Sequence, residues 1–219
     1  SFLIEPAGRA STRGRGKVFV VLEAELMSTP AQHALLKTLE EPPPGVTIAL
    51  LCRTAEQMLA TTRSRCAVLR FGPLPRAFVS ARLAEAGVSA PEAEFWAAFT
   101  GGSVGEALRL AAGGKMYRLK QDLLERLAAL GPAGDAGLGE HLASSADALA
   151  KSAVAAAKKQ EGSPELARTL ATRQAAQAIL RLIASAFRDA MALAVGAGTP
   201  LANVDQTPAV RALAERLAA

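Results

Sequence analysis

The triplet Pro42-Pro43-Pro44 constrains this chain more than any other stretch. Proline lacks an N–H and disfavours α backbone in the residue before it, so a helix running through Leu35-Leu36-Lys37-Thr38-Leu39-Glu40-Glu41 has to end at Glu41. Ala31, Leu35 and Leu39 recur at i, i+4 and i+8, which predicts one apolar stripe on that helix. Thr29 is its expected N-cap, with Pro30 at the first helical position, where a missing N–H costs nothing. Residues 18–22 and 46–52 flank this helix as continuous apolar runs of the kind shown by strands buried on both faces. Residues 67–71 form a third such run. Strands alternating with helices predict parallel pairing and an α/β sheet.

Composition narrows the class. Half of the 219 residues are hydrophobic and 21% are charged, enough for a sizeable core in one to two domains. Only 4% are aromatic, so that core is built mostly from Leu, Ala and Val. A net charge of +5 permits nucleic-acid contact without arguing for it. Two cysteines, Cys52 and Cys66, make neither a secreted disulfide framework nor a four-cysteine zinc module within these residues. No apolar run reaches the length of a membrane span, and no N-terminal signal appears, so a cytoplasmic, non-membrane protein is expected.

After Gly72 the texture turns helical. Phe78, Ala81 and Leu83 predict a helix that Gly87 ends, and Pro91 starts a second carrying Phe95, Trp96 and Phe99. These aromatics read as core rather than as an exposed platform for a nucleic-acid base. Ser103-Val104-Gly105-Glu106 is a capping box that opens a third helix. Beyond Gly113-Gly114 lie a helix carrying Leu119, Leu123, Leu124 and Leu127, then an Ala-rich helix over 142–159. Ser163 and Pro164 open a long helix with Ala176, Leu180, Ile183, Phe187 and Met191 at helical spacing. Arg9, Arg13, Arg15 and Lys17 form a basic cluster that reads either as a contact to a DNA phosphate backbone or as a solvated loop.

Residues 18–27, the block from Leu35 to Pro43 and Ser64-Arg65-Cys66 resemble the clamp-loader branch of the AAA+ family, the subunits of the bacterial DNA polymerase III clamp loader. The resemblance implies three parts. An AAA+ α/β core, a partial P-loop-type parallel sheet with helices, spans 1–71. A small three-helix lid spans 72–113, and an all-α collar for oligomerisation spans 114–219. A looser pattern, Arg188-Asp189 followed by Leu201-Ala202-Asn203-Val204-Asp205, resembles the C-terminal domain of the family's non-hydrolysing branch rather than its gamma/tau branch. Family members carry a helix between the segments that correspond to Phe2-Leu3-Ile4 and residue 18, and a collar running past 219. Either the loop between Gly8 and Lys17 is unusually short or the sequence lacks residues there and upstream of Ser1, and against the family's collar an end at Ala219 reads as a truncation.

An ATPase of this class needs a phosphate loop, a magnesium-binding Asp and a carboxylate that orients water. Gly16-Lys17 and Gly114-Lys115 lack the following Ser or Thr, and Ser11 and Arg109 stand where the earlier glycine belongs. In the degenerate Walker B run, Leu22 takes the place of the metal-binding Asp, and leucine cannot ligate magnesium. Glu23 stands where the water-orienting carboxylate belongs, and Cys52 where a polar residue senses the γ-phosphate. The expectation is no nucleotide site and no metal site on this chain. Arg65, in the Ser-Arg-Cys motif, is the candidate arginine finger, supplied in trans to a neighbour that holds ATP and magnesium; an intersubunit salt bridge and a cap on the preceding helix are the competing roles. Ser64 and Cys66 read as packing and loop-shaping residues of that motif, and His33 and His141 as neither metal ligands nor catalysts.

The function implied is that of a non-hydrolysing stator of the DNA polymerase III holoenzyme, helping to load the sliding clamp on primed DNA. Its partners would be gamma/tau-like and delta-like subunits in a hetero-pentamer, with the clamp reached indirectly. Two alternatives stay open: an ATP-hydrolysing gamma/tau-type motor whose phosphate loop lies outside these residues, and a degenerate AAA+ scaffold outside replication.

Overall fold

The computed structural model describes residues 16–130, 137–157 and 164–218. The chain forms two compact units, divided between Gly72 and Pro73. The expected strand at Phe2-Leu3-Ile4 lies outside the described residues, as does most of the basic cluster (Arg9, Arg13 and Arg15).

In the first unit, β1 (Lys17–Val21) runs parallel to β2 (Val46–Leu50), in register from Lys17 opposite Val46 to Val21 opposite Leu50. The pairing continues past β1, where Ala24 N–H donates to the Leu51 carbonyl at 2.9 Å. It starts at a close crossing of two glycines: Gly16 has φ +86°, and a Cβ there would lie 2.5 Å from the Gly45 oxygen, so only glycine fits.

The link between the strands is α1 (Thr29–Glu40), a helix that crosses over as a parallel pair requires. Its N-cap is Ser28, one residue before the expected Thr29; the Ser28 hydroxyl accepts from Ala31 N–H, and Pro30 follows. The helix ends at Glu40, before the prolines. Its buried face is centred on Gln32 and Leu35 rather than on Ala31, which is exposed.

Burial differs from expectation in two places. β1 alternates, and Val18 and Val20 face solvent, because a sheet face is buried only where a further layer covers it and no described element covers this one. Residues 67–71 form extended loop instead of a third strand, with Phe71 91% exposed. A strand needs a neighbour for its N–H and C=O groups, and no described strand pairs with this segment. A short helix, α2 (Ala60–Arg63), precedes it.

The second unit is helical: α3 (Arg76–Glu85), α4 (Ala90–Phe99), α5 (Val104–Ala111), α6 (Lys115–Ala129), α7 (Leu138–Ala157), α8 (Pro164–Ala194) and α9 (Thr207–Ala218). Ser103 caps α5, its hydroxyl accepting from Glu106 N–H at 3.4 Å. Helices α3 to α5 share one core with the helices that follow: Val79, Leu83, Phe95 and Trp96 are buried with Leu123, Ile179 and Leu182. Phe95 and Trp96 lie edge to face at 4.7 Å, with no exposed ring surface, so they are core residues. Withdrawing each such side chain from water is worth about 1.5–3 kcal/mol. A second cluster joins Leu124 and Leu127 to Ala186, Ala190, Val210 and Leu213.

Two buried aspartates hold the segment between α8 and α9. Asp189 Oδ2 accepts from Ala202 N–H (2.8 Å), Asn203 N–H (2.7 Å) and Asn203 Nδ2 (2.9 Å), while Oδ1 takes Arg188 at 2.6 Å. Asp205 accepts from Lys120 Nζ at 2.6 Å and from the Tyr117 hydroxyl at 2.8 Å. The Lys120–Asp205 pair is almost dry, at 2% and 5% exposure, and Lys120 also lies 4.4 Å from the Phe95 ring centroid. Burial holds the Lys120 ammonium below the usual lysine range, with Asp205 pulling the other way.

Removing one partner of such a pair strands the other charge in the interior. Asp205→Ala should therefore cost about 3–5 kcal/mol in denaturant unfolding of the full-length protein. Glu85→Ala, which removes the exposed pair with Arg82, should cost no more than about 0.5 kcal/mol. Equal effects from the two substitutions would contradict this account.

Candidate functional site

Of the residues singled out by the sequence, Ser64, Arg65 and Cys66 lie on the turn that follows α2, where Arg65 meets α1. Gln32 is the bracket. Its side chain is buried on α1, and its Oε1 accepts from Leu59 N–H at 3.0 Å and from the Thr62 hydroxyl at 3.4 Å. Its Nε2 donates back to the Met27 carbonyl at 3.1 Å. One amide thereby fixes the start of α2, whose first turn has no other side-chain cap. Thr62 is itself buried, so its hydroxyl needs this partner.

Past Thr62 the backbone tightens: Arg65 N–H bonds the Thr62 carbonyl at 3.2 Å, and Cys66 N–H bonds that of Arg63 at 3.1 Å. The Ser64 hydroxyl donates to the Thr61 carbonyl at 3.0 Å, which shapes the turn. The Arg65 guanidinium spans it: Nη1 donates to the Thr61 carbonyl at 2.9 Å, and Nε and Nη2 meet the Glu40 carboxylate at the last turn of α1. A third of the Arg65 side chain stays open to solvent. Cys66 is half-buried, and burial pushes its thiol above the usual range, away from the thiolate a nucleophile needs.

Leu22 and Glu23 lie past the C-terminal end of β1, the end at which parallel α/β sheets bind ligands. Leu22 is 70% exposed. Glu23 has φ +49°, the single non-glycine residue in left-handed backbone among those described, a conformation that costs on the order of 1 kcal/mol. Its carboxylate meets Arg53 Nη2 at 3.4 Å, and Arg53 N–H donates to Glu25 at 3.3 Å. Cys52 is exposed beside Arg53. An open cavity of about 570 Å³ at this end is lined by Cys52, Arg53, Met58, Thr62, Arg63 and Cys66, among others.

Of the remaining candidates, Lys17 starts β1, and Lys115 starts α6 with its Nζ 3.1 Å from the Ser152 hydroxyl. His33 is exposed on α1, and His141 Nε2 lies 2.7 Å from Asp122. The described residues bring no three His, Cys, Asp or Glu side chains together as a metal site. Sequence reasoning passed over Gln32, Glu40 and Arg53. Gln32 had a legible signal: a polar residue three positions before Leu35, on the face that α1 buries. Glu40 and Arg53 act over 25 and 30 residues of separation, and no local pattern marks such contacts.

The family model described as DNA polymerase III, delta subunit, matches residues 2–75, and that described as DNA polymerase III, delta subunit, C terminal, matches residues 147–219. DNA polymerase III subunit delta' of Escherichia coli (strain K12) is 37% identical over 123 residues, covering 56% of this chain and 36% of the relative. Its namesake from Bacillus subtilis (strain 168) is 32% identical over 109 residues, 50% of this chain and 33% of the relative. DNA polymerase III subunit tau of E. coli is 39% identical over 64 residues, 29% of this chain and 10% of that protein. The chain spans about a third of the length of the delta' relatives it matches. Matched near both ends by delta-subunit models and by delta' sequences from two bacteria, the chain belongs to the DNA polymerase III clamp-loader family, in its delta-prime group.

Proposed function

We propose that this chain is part of a non-hydrolysing clamp-loader subunit, a delta-prime-type stator that lends Arg65 to the ATP site of the neighbouring subunit. The observation that carries the reading is a contrast within one unit. A leucine, Leu22, stands where the resemblance puts the magnesium-binding carboxylate, while an arginine fork is kept on a braced and partly exposed turn. Glu23, the relic of the hydrolytic pair, meets Arg53 instead of an open metal site. Neither feature helps this chain to hydrolyse ATP; the second suits it to act on ATP held elsewhere.

The chemistry asked of Arg65 is electrostatic. Phosphoryl transfer spreads charge over the equatorial oxygens of the transferred group, and a planar, permanently charged guanidinium can bond two of them at once. Arg65 would offset that charge from across the subunit boundary, while ATP and magnesium belong to the neighbour. Ser64 and Cys66 shape the turn and take no part in bond making. The partners proposed are gamma/tau-like and delta-like subunits in a hetero-pentamer. The sliding clamp is engaged indirectly, and the sequence cluster Arg9, Arg13 and Arg15 is proposed to meet the backbone of primed DNA. No described helix is long and apolar enough to cross a membrane, and the proposed location is the cytoplasm.

A second reading has support in the retained Glu23 and in the similarity to a tau subunit: an ATP-hydrolysing motor whose phosphate loop lies outside these residues. ATP hydrolysis by the purified full-length subunit alone would establish that reading and remove the first.

Arg65→Ala in this subunit alone should lower the DNA- and clamp-stimulated ATPase of the reconstituted loader by one site's share, with assembly on gel filtration unchanged. At the affected site, trans-acting arginines are worth about 10³–10⁵ in kcat, so that share should vanish rather than fade. Arg65→Lys should not restore it, since an ammonium lacks the fork. An unchanged rate with the complex intact would make Arg65 structural.

A further inference from the structure

Glu40 is oddly placed for a residue with no task. It is the last residue of α1, where the helix dipole presents its negative end, and Glu41 follows it directly. A carboxylate there works against the helix, and Lys37 offsets only part of it. Local rules broken in this way concentrate where a side chain serves a site. The three prolines after Glu41 fix where α1 ends and so put Glu40 on its last turn.

That carboxylate meets Arg65. Nε and Nη2 of the guanidinium share Glu40 Oε1, and Nη1 is held by the Thr61 carbonyl at 2.9 Å and lies 3.4 Å from the Ser64 hydroxyl. The guanidinium is thus bonded on two sides, and with a third of the side chain exposed it keeps donor capacity for a further anion. An arginine left free would have to be ordered at the moment it met a phosphate; here the ordering precedes the encounter.

We propose that Glu40 is the positioning residue of Arg65, setting the plane and reach of the guanidinium toward a phosphate held by the adjacent subunit. This rests on the reading of Arg65 as acting in trans. The contact is half-exposed, so its part in stability is small, and its removal should show in catalysis rather than in folding.

The test uses the full-length subunit in the reconstituted loader, with wild type, Arg65→Ala, Glu40→Gln and the double variant compared for clamp-stimulated ATPase. Glu40→Gln should lower the Arg65-dependent part of kcat at least about threefold while KM for ATP stays within about twofold, because orientation and not ground-state binding is lost. The double variant should be no slower than Arg65→Ala alone, since a positioning residue has nothing to position once the arginine is gone. Gel filtration and thermal melting should match wild type for Glu40→Gln. If Arg65→Ala slows the loader and Glu40→Gln does not, the positioning role falls and the trans arginine stands. The same follows if the two losses add in the double variant. If Arg65→Ala leaves the rate unchanged, both fall together.

Discussion

One buried amide underlies the arrangement of the first unit. Gln32 is buried on α1, and its oxygen and nitrogen join three separate pieces of backbone and side chain. A buried amide is costly unless it is satisfied, and a satisfied one tolerates few alternative arrangements. Thr62 sits at its carbonyl, and three residues later Arg65 emerges. Glu40, two turns along α1 from Gln32, takes hold of the guanidinium. The same helix therefore brackets the short turn at its backbone and at the Arg65 guanidinium, and the polyproline stop fixes where the helix can end.

In the second unit the same principle operates with charge. Asp189 gathers two backbone N–H groups and the Asn203 amide, and Asp205 gathers Lys120 and Tyr117, so the segment between α8 and α9 is tied to two helices by full hydrogen-bonding sets. Dry ion pairs are weak evidence for stability and strong determinants of which arrangement is allowed. The core around Phe95 and Trp96 supplies the non-directional stabilisation. The aspartates specify which face of α6 and α8 receives the loop.

Much of this was legible in the residues. The strand–helix–strand order followed from two apolar runs separated by a capped, proline-stopped helix, and the parallel pairing of β1 with β2 agrees. The N-cap was misplaced by one residue because Ser28 and Thr29 are both good caps and only geometry chooses between them. Apolar runs could not report what lies over them: Val18 and Val20 are exposed although their pattern is that of a buried strand, and residues 67–71 form no strand without a partner. Around Arg65 the motif named the arginine and left out its supports. The contacts that Gln32 and Glu40 make with α2 and the turn after it span 25 or more residues, and their side chains belong to types that usually sit in solvent. The stretch from Leu201 to Asp205 was a recognisable pattern whose physical content, two carboxylates and their donors, appears only in three dimensions.

The claim at the centre of this account is that Arg65 leaves its own subunit to meet a nucleotide held by the next. The most direct measurement is a structure of the assembled loader, containing the full-length subunit, with a slowly hydrolysed ATP analogue and magnesium. The account predicts a guanidinium nitrogen of Arg65 about 2.7–2.9 Å from an oxygen of the neighbour's terminal phosphate, the length of a charge-assisted hydrogen bond. An occupied neighbouring site with Arg65 turned away from it, bonded only within its own subunit, would contradict it.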